Sequence, residues 1–288
     1  MSQGKLRRLL LSVPINLWRA LQCFLQENGI DKSSILAYYS IFSSFFLLIF
    51  FSYLFTRLMG NPDNALKNMY PFTPDFFRKI SPVLVEKATA LSATLESFSL
   101  PAIAIFIFLG VLIFRKIICF VNDMFHIEIK KGFFIKRLQE FALLMIVGIL
   151  TCISFLLTGF ISTVTTIFYE NPNLAPSIHP ALVKSVDNFL IRYLVPFLIT
   201  FALYLIVFHW IPEKKVSGGS ALIAAFISAF LWETVKRVYT YYLINISLVG
   251  KIEGPIVAII LFGFWMEVSM GIMLYGAKLT YLLDKGDE

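Results

Sequence analysis

"FALLMIVGILTCISFLLTGFISTVTTIFY", residues 141–169, runs for 29 residues without one charged side chain. About 20 such residues suffice for a helix to cross the hydrocarbon core of a bilayer. Three further uncharged runs flank it: Ser33–Thr56 (24 residues), Ser97–Phe114 (18) and Tyr193–Pro212 (20). Hydrophobic residues make up 58% of the 288 and charged residues 15%, and the mean hydropathy is +0.78. A soluble chain carries about a quarter charged residues to cover its surface. Outer-membrane strands alternate apolar and polar positions, whereas these runs are apolar on every side. In lipid the backbone must hydrogen-bond within its own segment, so such runs imply helices. The expected fold class is an all-α integral membrane protein.

Counting outward from 141–169 gives six transmembrane helices, at about 34–58, 98–121, 139–163, 190–210, 218–243 and 255–283. Charges interrupt the fifth (Glu233, Lys236, Arg237) and the sixth (Glu267). Ahead of them, residues 1–33 form a basic, cytoplasmic N-terminal segment. Pro14, Asn16, Arg19 and Gln22 interrupt its apolar part and no small-residue cleavage site follows, which argues against a signal peptide. Leu6, Leu9, Leu10, Leu17, Leu21, Phe24 and Leu25 recur at helical spacing between cations, which predicts an interfacial amphipathic helix. Residues 74–98 mix apolar and charged positions in a helical pattern, predicting short extracytoplasmic helices. The tail is 284–288. Cations crowd the N-terminal segment, the link 122–138 and the link 211–217, so the positive-inside rule places both termini in the cytoplasm.

Cys23, Cys119 and Cys152 lie far apart, and His126, His179 and His209 are scattered, so no zinc or catalytic metal spacing is present. "GKIEGP" (250–255) lacks phosphate-loop spacing, and no GxSxG occurs. These readings predict no enzyme, no cofactor and no metal. The net charge of +7 sits beside the spans, which fits membrane topology rather than nucleic acid.

Charges inside apolar runs are the candidates for function. Arg115 and Lys116 interrupt "VLIFRKIICFVND" (111–123) near the cytoplasmic end of span two, where long cations snorkel to the interface. Lys116 and Asp123 share a face. Lys130, Lys131, Lys136 and Arg137 complete a basic collar suited to anionic lipid headgroups. Glu233 shares a face with Arg237, with Lys236 adjacent. Glu267 falls near mid-span between Gly263 and Gly271, a costly position for a carboxylate. Lys236, Arg237, Arg115 or a bound proton are its expected partners. Ala221, Ala225 and Ala229, with Ser220, Ala224 and Ser228, give span five two narrow faces for close helix packing.

Four stretches together resemble the YihY/BrkB family of bacterial inner-membrane proteins, formerly labelled ribonuclease BN. They are "LAYYSIFSSFFLLIF" (36–50), "FVNDMFHIEIKKGFFIKRLQEF" (120–141), "IPEKKVSGGSALIAAFISAFLWETVKRVYTYYL" (211–243) and "LYGAKLTYLL" (274–283). In the second, Asn122 and Arg137 match an asparagine after span two and a basic residue before span three. The chain departs from the pattern at Phe46 (usually proline), Lys278 (usually glutamate) and Glu267 (usually aromatic or aliphatic). The resemblance implies a virulence-factor-like role in envelope lipid handling and serum resistance. With the buried charges and basic collar, it leads to an expected transporter or translocation protein for an amphiphilic envelope lipid, a phospholipid or lipopolysaccharide precursor. The alternative is an adaptor that anchors an envelope lipid-bridge protein. The expected partners are membrane lipids, not nucleic acid. A ribonuclease would need metal ligands or an acid–base pair beside a soluble basic groove, and neither is present.

Overall fold

The computed structural model describes residues 3–43, 100–127, 132, 134–150, 153, 193–245 and 255–285. In chain order the helices are α1 (Gln3–Gln26), α2 (29–43), α3 (Leu100–Met124), α4 (134–150), α5 (Val195–Trp210), α6 (Gly218–Asn245) and α7 (Pro255–Lys285). No strand occurs among the described residues. By length and composition, Gly218–Tyr242 and Ile260–Lys285 can cross a membrane, and Val195–Trp210 is a shorter apolar helix. Parts of the first four predicted spans, and the whole of 74–98, lie outside the described residues.

The centre of the fold is α6, packed chiefly on α5 and α7. Its two small-residue faces explain why. Ser220, Ala221, Ala224, Ala225, Ser228 and Ala229 are all fully buried, so neighbouring backbones approach where no large side chain intervenes. At Gly276 of α7 a methyl group would run into Ser228 of α6 and the Phe208 ring of α5. The α6–α7 pair is antiparallel: Ser217 N donates to Asp284 (2.7 Å), Trp232 Nε1 to Ser269 (3.2 Å) and Tyr239 to the Leu261 carbonyl (2.6 Å). Ser217 also caps α6, accepting from the Ser220 amide (3.2 Å).

The glycines flanking Glu267 admit α2. Ser33 of α2 lies against Gly271 and Ile41 against Gly263. Polar side chains in these apolar helices are satisfied within their own turn: Ser33, Ser40, Thr240 and Thr280 each donate to the carbonyl four residues back.

The first helix is more than a surface helix. Ala20 and Phe24 are buried, and the Tyr275 hydroxyl of α7 donates to the Leu17 carbonyl (3.2 Å). Ile15, Trp18, Leu21 and Leu25 stay exposed on the other side. The apolar residues therefore divide between a protein contact and a face that suits lipid. The chain reverses at Asn28, whose φ of 57° is one of the left-handed values that asparagine tolerates. As a result α2 begins within the predicted 1–33 segment, and Lys32 belongs to α2.

Candidate functional site

Charged groups gather in three places along the bundle, not in one shared interior. At the Gly218 end, α3 stops in a Schellman turn: Ile127 N bonds to Asn122 O (3.0 Å) and His126 N to Asp123 O (2.9 Å). His126 takes the left-handed position (φ 55°) that glycine usually holds. The turn delivers its ring to Lys278, which is 1% exposed. Lys278 Nζ contacts Glu27 Oε1 (2.5 Å), His126 Nε2 (2.9 Å) and the Met124 carbonyl (3.2 Å), and lies 4.8 Å from the centre of the Tyr281 ring. An ammonium has three protons and no lone pair. Three acceptors use all three, which assigns Nε2 of His126 as the acceptor and its proton to Nδ1. Next to this cluster, Lys32 pairs with Asp123 (2.5 Å). Fully buried Asn122 donates to Ile118 O (2.9 Å) and accepts from Glu213 N (2.9 Å). It thereby ties the end of α3 to the 211–217 link.

At the middle level, Glu267 meets Ser34 of α2 rather than Lys236, Arg237 or Arg115. Ser34 Oγ lies 2.5 Å from Glu267 Oε1 and 3.1 Å from Ile30 O. A hydroxyl has one proton, and the shorter, charge-assisted bond takes it. The physical reason is the glycine pair: α2 passes over both residues and brings Ser34 to the carboxylate before any cation can reach it.

At the opposite end, Glu233 shares its cluster with both neighbours. Lys236 Nζ donates to Glu233 Oε1 (2.6 Å) and sits 4.6 Å from the Trp232 ring centre. Glu233 Oε2 is buried and has no hydrogen-bond partner among the described residues. Arg237 instead stacks on Tyr193 (4.2 Å). Tyr193, Glu233 and Arg237 close one end of an open cleft of about 340 Å³ between α5 and α6, walled by Leu194, Phe197, Phe226 and Phe230. Phe197 and Phe226 meet edge to face at 5.6 Å.

Of the remaining predicted residues, Arg115 is exposed and Lys116 lies 5.2 Å from the Tyr39 ring. Asp123 is on Lys32, not Lys116. Arg137 pairs with Glu140 (2.6 Å) and Lys136 is half-buried. Lys130 and Lys131 lie outside the described residues. Tyr193, Glu27 and His126 escaped the sequence reading as site residues. Lys278, a cation in an apolar helix, is the one sequence signal that could have led to the last two. No group of metal-ligating side chains occurs among the described residues.

The family model for virulence factor BrkB matches residues 20–288. The chain belongs to the BrkB family. The four quoted stretches had pointed there, and the match covers all of them. Relatives include the UPF0761 membrane proteins of Pseudoalteromonas atlantica (28% identical over 32% of this chain and 30% of theirs) and Haemophilus influenzae (28% over 33% and 35%). That of Actinobacillus pleuropneumoniae is 24% identical over 58% of this chain and 56% of its own. The chain thus spans about a third of the length of the first two. No solved structure matches. With apolar helices long enough to span and relatives named as membrane proteins, this is an α-helical membrane protein of the BrkB family.

Proposed function

We propose that this BrkB-family protein binds and translocates an amphiphilic, phosphate-bearing envelope lipid in the bacterial inner membrane, without catalysing a reaction. The supporting observation is the α5–α6 cleft: an aromatic slot that ends at a guanidinium. Arg237 lies about 28 Å along α6 from Gly218, at the far end of a membrane-long helix. Tyr193 lies against it, and Tyr241 and Tyr242 follow in the next turn of α6, residues of the kind that settle at headgroup level. From Arg237 to Phe226 the slot descends about 16 Å toward mid-bilayer, a path suited to an acyl chain. A planar guanidinium at the interface suits a phosphodiester. With six spans and cytoplasmic termini, the cation-rich 211–217 link is cytoplasmic and Arg237 faces the outer leaflet.

The test is translocation in proteoliposomes. Purified protein is reconstituted with a trace of headgroup-labelled phospholipid, and the inner-leaflet label is followed by external dithionite quenching. Wild type should expose more than the half already facing outward, and Arg237→Ala should slow that exposure at least tenfold. Quenching that stops at half with wild type, while an envelope protein co-purifies stoichiometrically, would overturn the reading in favour of the adaptor.

A further inference from the structure

We infer that the headgroup end of this cleft selects phospholipids carrying an N–H or O–H donor beside the phosphate, such as ethanolamine or glycerol headgroups, and discriminates against phosphocholine. The inference rests on the lipid-binding reading and names the headgroup class. It comes from Glu233. Its side chain is 6% exposed, Oε1 is engaged by Lys236, and Oε2 is buried without a partner among the described residues. A buried anionic oxygen is costly unless a donor reaches it. Glu233 lines the same cleft as Arg237, one helical turn away.

Charge and donor count point the same way. Lys236, Arg237 and Glu233 sum to one positive charge, which a phosphodiester neutralises. With the phosphate on Arg237, the next polar group of the headgroup lies toward Glu233, two carbons beyond the phosphate oxygen. An ethanolamine ammonium or a glycerol hydroxyl can donate to Oε2. A choline nitrogen bears three methyls and no proton, so it leaves Oε2 unsatisfied and adds bulk beside it.

Glu233→Gln reverses the chemistry in place. The ammonium of Lys236 can only donate, so it claims the amide oxygen and turns the amide nitrogen to the former Oε2 position. An acceptor there becomes a donor.

Native mass spectrometry of the full-length protein, released from detergent, reads the outcome. Dioleoyl lipids bearing glycerol, ethanolamine, N-methyl-, N,N-dimethyl- and N,N,N-trimethylethanolamine headgroups are offered at equal concentration. Retention should hold through the dimethyl lipid, which keeps one N–H, and fall about tenfold at the trimethyl lipid, the worth of one charge-assisted hydrogen bond. In Glu233→Gln, checked for an unchanged melting temperature, the step should vanish. If that variant does not fold, the methylation series on wild type decides alone. Equal retention of all five lipids by wild type, or a step that survives in folded Glu233→Gln, overturns the headgroup inference while lipid binding stands. Retention of none, with no translocation in proteoliposomes, overturns the lipid reading and the inference with it.

Discussion

Removing Glu27 should harm the protein far more than removing the lysine it holds. Lys278 is 1% exposed, and its three protons are divided among Glu27, His126 and the Met124 carbonyl. Glu27→Ala leaves that ammonium in the bundle with two neutral acceptors. Removing one partner of a buried ion pair costs about 3–5 kcal/mol. Because the Glu27 side chain is 23% exposed, water can reach part of the gap, and the lower figure of about 3 kcal/mol applies. Lys278→Met removes the buried charge itself. Glu27 and His126, whose side chains are 23% and 55% exposed, can turn to water, and a thioether packs well on the Tyr281 ring. The remaining cost is the Met124 carbonyl, about 1 kcal/mol. The double variant should therefore be more stable than Glu27→Ala alone, because the unpaired cation is gone. At about 2–4 °C per kcal/mol for a chain of this size, melting in detergent should fall about 6–12 °C for Glu27→Ala and about 2–4 °C for Lys278→Met. The double variant should recover to near the latter. Equal losses for the two single variants, or strictly additive losses in the double, would refute the idea of a satisfied buried ammonium.

Gly276→Ala should lower stability by about 1–3 kcal/mol in the same melting assay, because the new methyl meets Ser228 and Phe208. Gly218→Ala, with no atom within 4 Å of the added carbon, should be neutral within about 0.5 kcal/mol. Glu267→Gln keeps an acceptor for Ser34, so its melting temperature should change by the equivalent of less than about 1 kcal/mol; a larger drop would show that a cation shares the carboxylate. Cysteines placed at Lys131 and Lys214 should both be labelled from the cytoplasmic side, and labelling from opposite sides would break the six-span topology.

Helix content, the small-residue faces of α6 and the closeness allowed by Gly263 and Gly271 were all legible in the sequence. Each follows from local composition: apolar runs must form helices in lipid, and residues without bulk let backbones meet. Pairing was less legible, because it depends on which helix arrives. Lys236, Arg237 and Arg115 all looked like partners for Glu267, yet α2 reaches the glycine pair and Ser34 takes the carboxylate. Spacing placed Arg237 on the face of Glu233, with Lys236 adjacent. Which cation bonds it is a matter of rotamer, and the ring of Tyr193, distant in sequence, draws Arg237 away. The Lys278 cluster was hidden for a similar reason: Glu27 and His126 sit in two turns far apart in sequence that meet Lys278 only in the folded bundle.

The Lys278 and Glu233 clusters therefore treat buried charge in different ways. Around Lys278 at the Gly218 end the donors are all used. Lys278 uses every proton, Asp284 takes the Ser217 amide at the start of α6, and Asn122 joins α3 to the link before it. A network with no spare donor resists change, because any shift leaves a buried polar group unpaired. At the Arg237 end one carboxylate oxygen is left over beside an exposed guanidinium and an aromatic slot open to the surroundings. A satisfied cluster fixes helices, whereas an unsatisfied one beside a cleft has affinity to give to something outside the chain. Under the lipid-binding proposal, the Arg237 end is where a headgroup would gain most by arriving.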